Sequence, residues 1–187
     1  MTDQTHLFTR LAQSHKPDCV LSLGGPLPET VASPDELAVT LGSDAVARYA
    51  AACRPVYEDL RRIIGQISGL VILAQLTAQR QVTDLPEYTA CEARAAQARD
   101  RLGALKVPTG TEAHKAQLDA ALQFSRLAMG TFSQARGGEA LAADLDRAGL
   151  LVKRAYAHLR AASAAKAGLE MVDLSQACCC CGQQPSR

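Results

Sequence analysis

Apolar residues recur along most of the chain at alternating steps of three and four residues, the spacing of one buried stripe on an α-helix. The first long segment with this pattern runs from Ser43 to about Gln81, with its stripe at Val56, Leu60, Ile63, Ile67, Leu70 and Ala74. Pro55 lies inside the segment, and a proline there either kinks a helix or marks the start of a second one. We therefore predict helix on both sides of Pro55.

Three further helical segments follow, each with its own stripe. The segment from Asp84 to Lys106 has its apolar positions at heptad steps: Tyr88, Cys91, Ala95, Ala98, Leu102 and Leu105. Thr109-Gly110-Thr111-Glu112 repeats the pattern of a capping box and opens a helix to about Arg136, with its stripe at Leu118, Leu122, Ser125, Met129 and Phe132. Gly137-Gly138 separates it from a last segment, Glu139 to Val172, with its stripe at Leu141, Leu145, Ala148, Val152, Ala155, Leu159 and Ala162.

The beginning of the chain predicts less regular structure. Leu7, Phe8 and Leu11 are spaced for one face of a short helix. The run Gly24-Gly25-Pro26-Leu27-Pro28 then excludes helix and strand. Ser33-Pro34-Asp35-Glu36 has a capping residue, a proline in the first helical position and a glutamate three residues after the cap. It therefore predicts a short helix from residue 34 that ends at Gly42.

No segment shows the sustained period-two alternation of a β-strand. Four amphipathic segments with short connections favour antiparallel neighbours, so we predict an all-α fold, an up-down-up-down antiparallel four-helix bundle. Residues 1–33 would form a short helical and loop extension, residues 34–173 the bundle, and residues 174–187 a flexible, cysteine-rich tail. Gly65 and Gly69, beside the first stripe, are interpreted as places where a neighbouring helix comes close.

Composition and charge exclude several classes of protein. The 187 residues are 48% hydrophobic and carry 20 basic against 19 acidic side chains, a net charge of +1. This balance gives no reason to expect nucleic acid as a partner. The chain has no transmembrane segment of roughly 20 apolar residues, and its N-terminus lacks the features of a secretory signal. Seven cysteines are an odd count that does not suggest a disulfide framework, so we expect a reducing, cytoplasmic location.

Four adjacent cysteines near the end of the chain, Cys178, Cys179, Cys180 and Cys181, are the candidate site for chemistry. Cys178 and Cys181 have the C-x-x-C spacing that lets two thiolates meet at one soft metal ion, and Gly182 permits the turn. The ion would be Cu(I), or Zn²⁺ in a site completed by another chain, Cys19 or His15. No second C-x-x-C is present, so the pattern is half of a signature and the sequence assigns no cofactor beyond these two metals.

Two other interpretations of the four cysteines stay open. Clustered cysteines after an amphipathic helix are typical acceptors of S-palmitoylation, and acylation there would place the chain on a membrane. No polybasic patch adjoins them, since Lys166 is the nearest preceding basic residue. Alternatively, the tail is a mobile end whose thiols have little role or react only with one another.

Signals for catalysis are absent from the sequence. It contains no Glu-x-x-His, H-E-x-x-H, G-x-S-x-G, Walker A or Rossmann glycine pattern. Glu92 only flanks a stripe, and His114, near the apolar seam, is interpreted as a hydrogen-bonded residue at the edge of the core. His158 is expected to be solvated beside Arg154. We therefore predict that the chain is not an enzyme.

The remaining polar and thiol residues have structural interpretations. One charge cluster contains i,i+4 pairs and predicts a solvated helix face, with an interaction surface as the alternative: Arg54, Glu58, Asp59, Arg61 and Arg62. Cys53 and Cys91 are interpreted as small apolar residues facing other helices. The four tyrosines, Tyr49, Tyr57, Tyr88 and Tyr156, fit helix packing with the hydroxyl at the edge.

These patterns favour a non-enzymatic adaptor, assembly or accessory protein that acts through its helix faces. Its partner would be another protein or a second copy of the chain. The alternative is a soft-metal, thiol-handling or S-acylated protein whose working part is the cysteine tail.

Overall fold

A computed structural model describes residues 32–77, 85–135 and 140–171. These residues form helices α1 (Pro34–Leu41), α2 (Asp44–Thr77), α3 (Pro86–Gly103), α4 (Glu112–Ser133) and α5 (Ala140–Ala161), with a 3-10 turn at Ala165–Ala167. In these segments the β-type pairing is limited to an isolated bridge between Ala164 and Leu169. The prediction of an all-α chain is confirmed.

Several predicted features lie outside the described residues. They include most of the N-terminal extension, the Gly137-Gly138 break, and the tail with Cys178–Cys181. Cys19 and His15, the other ligands considered for a metal, also lie outside.

Helix α1 begins with the capping box that the sequence predicts. The Ser33 hydroxyl accepts a hydrogen bond from the Glu36 amide at 3.3 Å, and the Glu36 carboxylate accepts one from the Ser33 amide at 2.7 Å. Pro34 occupies the first helical position, where its missing N–H removes no intrahelical bond. Gly42 ends the helix in the left-handed conformation, with φ of 70° and its N–H on the Ala38 carbonyl.

Helix α2 is the central element, since it contacts α1, α3, α4 and α5. It runs unbroken through Pro55, so no second helix begins there. The ring of Pro55 is exposed, and its missing N–H removes only the bond to the Ala51 carbonyl. Every residue of the predicted α2 stripe is buried, which confirms the assignment of its core face.

The hydrophobic core forms where the apolar stripes of the helices pack against one another. The predicted stripes of α3, α4 and α5 are also buried, apart from Leu105, which is half-buried just after α3. Small residues that are fully buried separate the larger ones and bring the helices close together. They are Ala47, Ala98, Ala121, Ala128, Ala148 and Ala155.

Two helices end earlier than the stripes predict. Helix α3 ends at Gly103 instead of Lys106, and α5 ends at Ala161 instead of Val172. After α5 the Ser163 hydroxyl bonds to the Tyr57 hydroxyl at 2.8 Å. The bridge between Ala164 and Leu169 then turns the chain back through Gly168, whose φ is 66°. Contacts with other helices therefore outweigh continuation of the helical period.

The capping box predicted at the start of α4 is wrong. The helix begins at Glu112, and Thr111 is its N-cap without a capping hydrogen bond from its side chain. The Thr111 hydroxyl instead donates to the Pro108 carbonyl at 2.7 Å, while the Glu112 carboxylate accepts from the Gly110 amide at 2.7 Å. Both side chains therefore form hydrogen bonds with backbone groups of the turn before the helix, and neither caps the first turn of α4.

The interpretation of Gly65 and Gly69 as close-contact positions is also wrong. Both glycines are exposed on α2, and a Cβ built on either would meet no atom within 4 Å among the described residues outside the local helix backbone. They lie next to the buried stripe but on its solvent side. Four-residue spacing of glycines therefore does not identify a helix contact here.

Candidate interaction groove

A groove of about 770 Å³ lies between the first half of α2 and the chain that leaves α3. Its walls are mostly small or apolar side chains, contributed by α2 and by the connection to α4. They are Ala45, Ala52, Pro55, Ala104, Leu105, Val107 and Pro108. We call this feature the α2–α3 groove. Its volume is in the range of pockets that hold a small ligand or part of a peptide.

Three basic side chains also line the α2–α3 groove: Arg48 from α2, Arg101 from the last turn of α3, and Lys106 from the connection. All three are exposed, and no acidic residue is part of the lining. An apolar floor under a positively charged rim favours a ligand that combines apolar groups with negative charge.

Asp59 holds the Arg101 end of this rim in place. Its carboxylate is only 9% exposed and accepts from the Arg101 guanidinium at 2.6 Å. Arg94 lies 3.9 Å from the same carboxylate and donates to Gln66 at 2.6 Å. The expectation that the charges around Arg54–Arg62 form only a solvated face is therefore wrong for Asp59. Its partners lie on another helix, and no local spacing reveals them.

Tyr49 and His114 fasten the floor of the groove to α4. The Tyr49 ring is buried, and its hydroxyl lies 3.0 Å from Nδ1 of His114. Nε2 of His114 lies 2.9 Å from the Ala162 carbonyl. Because a carbonyl only accepts, Nε2 carries the proton, and in the neutral ring Nδ1 accepts from the tyrosine. The interpretation of His114 as a hydrogen-bonded residue at the core edge agrees with this geometry.

His158 is not the solvated residue that the sequence suggests. Its ring stacks on Phe124 with centroids 5.3 Å apart and planes 7° from parallel, and Nδ1 lies 2.8 Å from the Gln117 side-chain oxygen. The Arg154 guanidinium lies 5.6 Å from the centre of the same Phe124 ring. His158 therefore links α5 to α4, away from the α2–α3 groove.

Cys53 and Cys91 are fully buried, in agreement with their interpretation as core residues. Burial away from water disfavours the thiolate and raises the pKa of each thiol from 9.0 to about 11. Burial likewise raises the pKa of Tyr57 and of Tyr88. At neutral pH neither thiol is a nucleophile or a ready metal ligand.

In the segments that the structure covers, no three His, Cys, Asp or Glu side chains are arranged to hold a metal ion. The predicted metal or acylation site, Cys178–Cys181, is not among these residues. None of the described helices has both the length and the apolar character that crossing a bilayer requires.

No protein-family model, curated protein or solved structure matches the chain. The α2–α3 groove is therefore interpreted from its lining residues alone. The sequence pattern did not identify it, because Arg48 and Lys106 lie far apart in the chain and line the same groove only because the chain turns where α3 ends. A weak local signal is the set of exposed small residues in the first half of α2, Ala45, Ala52 and Pro55.

Proposed function

We propose that the four long helices form an up-down-up-down antiparallel bundle. The support is a set of side-chain contacts that each join the first half of one helix to the second half of its neighbour. They are Asp59–Arg101, Tyr88–Met129, Gln117–His158 and Gln75–Asp146.

On this bundle we propose a non-enzymatic function, that of an adaptor, assembly or accessory protein. The observation that carries the proposal is the α2–α3 groove with its apolar floor and wholly basic rim. Its occupant is a partner-protein segment with apolar side chains flanked by aspartate or glutamate. Such a segment places its apolar groups against Ala52 and Pro55, and its carboxylates near Arg48 and Lys106.

Charge decides between this partner and others. A basic segment or a second basic surface is repelled by the rim, and a neutral apolar segment leaves the rim charges without an ionic partner. Arg101 already contacts Asp59, so Arg48 and Lys106 supply most of the attraction. The binding is expected to weaken with added salt, because these side chains are exposed.

The test is site-specific photo-crosslinking in the native host, with the photoreactive residue at Ala52 in the full chain. We expect crosslinks to one partner segment that is apolar and acidic. Arg48→Glu combined with Lys106→Glu should reduce the yield about tenfold or more, since two attractive contacts become repulsive. Arg126→Glu is the control: it makes the charge change of one of these two reversals at an exposed position of α4 and should leave the yield unchanged.

Crosslinks that persist in the charge-reversed variant, or that map to a basic segment, would contradict the proposal. Circular dichroism must show the same helix content for both variants, so that loss of crosslinking reports the groove and not unfolding.

The tail supplies a second candidate function, favoured by the adjacent cysteines Cys178–Cys181. We propose soft-metal binding through Cys178 and Cys181, or S-acylation of the cluster, in a cytoplasmic protein that reaches a membrane only when acylated. Cys53 and Cys91 cannot contribute, because both are buried with raised pKa values. Intact-mass spectrometry separates the two: a mass gain that hydroxylamine removes indicates acylation, and one that a chelator removes indicates metal. An unmodified mass counts against both.

A further inference from the structure

Four large apolar side chains are exposed on one side of the molecule, where the second half of α2 lies beside the first half of α5. Ile72 is 53% exposed, Leu76 80% and Leu150 62%, with Leu73 beside them at 40%. Ile72 and Leu150 line the same shallow groove, of about 430 Å³, together with Gly149. Among the described residues none covers these side chains, and exposed apolar surface of this kind marks a contact site.

The charges around this surface are arranged symmetrically. Asp146 and Lys153 line the same groove, one on each side of Gly149 and Leu150. Asp146 lies three residues before Gly149, and Lys153 lies three residues after Leu150, so the midpoint of this segment falls between Gly149 and Leu150. Both are exposed. When two copies of α5 cross antiparallel at that midpoint, Asp146 of each copy meets Lys153 of the other.

The same crossing also matches shapes. Across the two-fold axis, Leu150 of one copy faces Gly149 of the other, so that a large side chain meets a position with no side chain. A Cβ on Gly149 would meet no atom within 4 Å among the described residues outside the local helix backbone, so there is open space for that leucine. Ile72 and Leu76 extend the apolar contact on both sides of the axis.

We infer that this chain forms a two-fold homodimer through the α2–α5 face, with α5 packed antiparallel against α5 of the second copy. Two-fold interfaces are self-complementary by definition, and the acidic–apolar–basic order along α5 has that property. The inference is independent of the α2–α3 groove, which lies at the other half of α2.

The test uses charge reversal in the full chain, with sedimentation velocity over a range of protein concentrations. The wild-type chain should dimerise. Asp146→Lys alone places lysine against lysine across the axis, and Lys153→Asp alone places aspartate against aspartate. Each variant should raise the dimer dissociation constant about tenfold or more. Arg126→Asp, on the exposed side of α4, should not change it.

Mixing the two variants provides the decisive measurement. In a heterodimer of Asp146→Lys with Lys153→Asp, both contacts are again between opposite charges, so the mixture should form dimers that neither variant forms alone. This recovery also excludes misfolding as the cause of the losses. A wild-type chain that stays monomeric, or a mixture that does not recover, would overturn the inference.

Discussion

At the scale of single residues, Asp59 is the polar side chain on which the α2–α3 contact depends most. It is nearly buried and faces two arginines from α3, at 2.6 and 3.9 Å. Asp59→Asn keeps the shape but removes the charge, which leaves Arg101 and Arg94 without their anionic partner. We expect the free energy of unfolding to fall by about 1–2 kcal/mol, since Arg101 retains access to water. Urea denaturation measures this loss.

The matched control is Asp100→Asn. Its carboxylate is 72% exposed and pairs with Arg99 next to it in the sequence, so its loss should change stability by less than about 0.5 kcal/mol. Equal losses in the two variants would show that Asp59 is no more than a surface charge.

At the scale of helices, the buried faces and both ends of α1 could be predicted from the sequence, whereas the C-terminal ends of α3 and α5 could not. Burial follows the local period, so the stripes that include Leu60, Leu118 and Leu159 are all found in the core. The end of α5 depends on Tyr57 and His114, which come from α2 and α4. No pattern near Ala161 contains that information. The α2–α3 groove has the same origin, because it opens where α3 stops.

The turn after α5 provides a prediction at this scale. Gly168 has a φ of +66°, and a Cβ there would lie 3.3 Å from the Arg54 guanidinium. Gly168→Ala should therefore reduce the free energy of unfolding by about 1 kcal/mol or more. Gly65→Ala, in the exposed part of α2, should instead raise it by about 0.5–1 kcal/mol, because alanine is the better helix former.

Thermal denaturation of the two variants reports both signs. Destabilisation by Gly65→Ala would instead support the interpretation that a neighbouring helix comes close to Gly65. Stabilisation by Gly168→Ala would show that the turn does not require a left-handed residue.

At the scale of the whole molecule, the buried thiols make the free energy of unfolding fall as the pH rises into the alkaline range. The pKa of Cys53 and of Cys91 is about 11 in the fold, against 9.0 as the ordinary value. Between these values the unfolded chain loses thiol protons that the folded chain keeps, so stability falls as pH rises from 9 to 11. We expect a loss on the order of 2 kcal/mol per thiol over this range.

The raised pKa values of Tyr49, Tyr57 and Tyr88 also lower stability above pH 10. Comparing two proteins separates the thiols from Tyr57 and Tyr88, while the part of the Tyr49 pKa shift that Cys53 causes is removed together with that thiol. Cys53→Ala combined with Cys91→Ala should start from a lower stability at pH 7.5, because burying less apolar volume leaves space in the core. It should then lose less stability between pH 7.5 and pH 10.5 than the wild-type chain does. Urea denaturation at pH 7.5, 9 and 10.5 measures both slopes. Parallel slopes would mean that the two thiols ionise as easily in the folded chain as in the unfolded chain. That result would contradict the prediction that burial raises their pKa values.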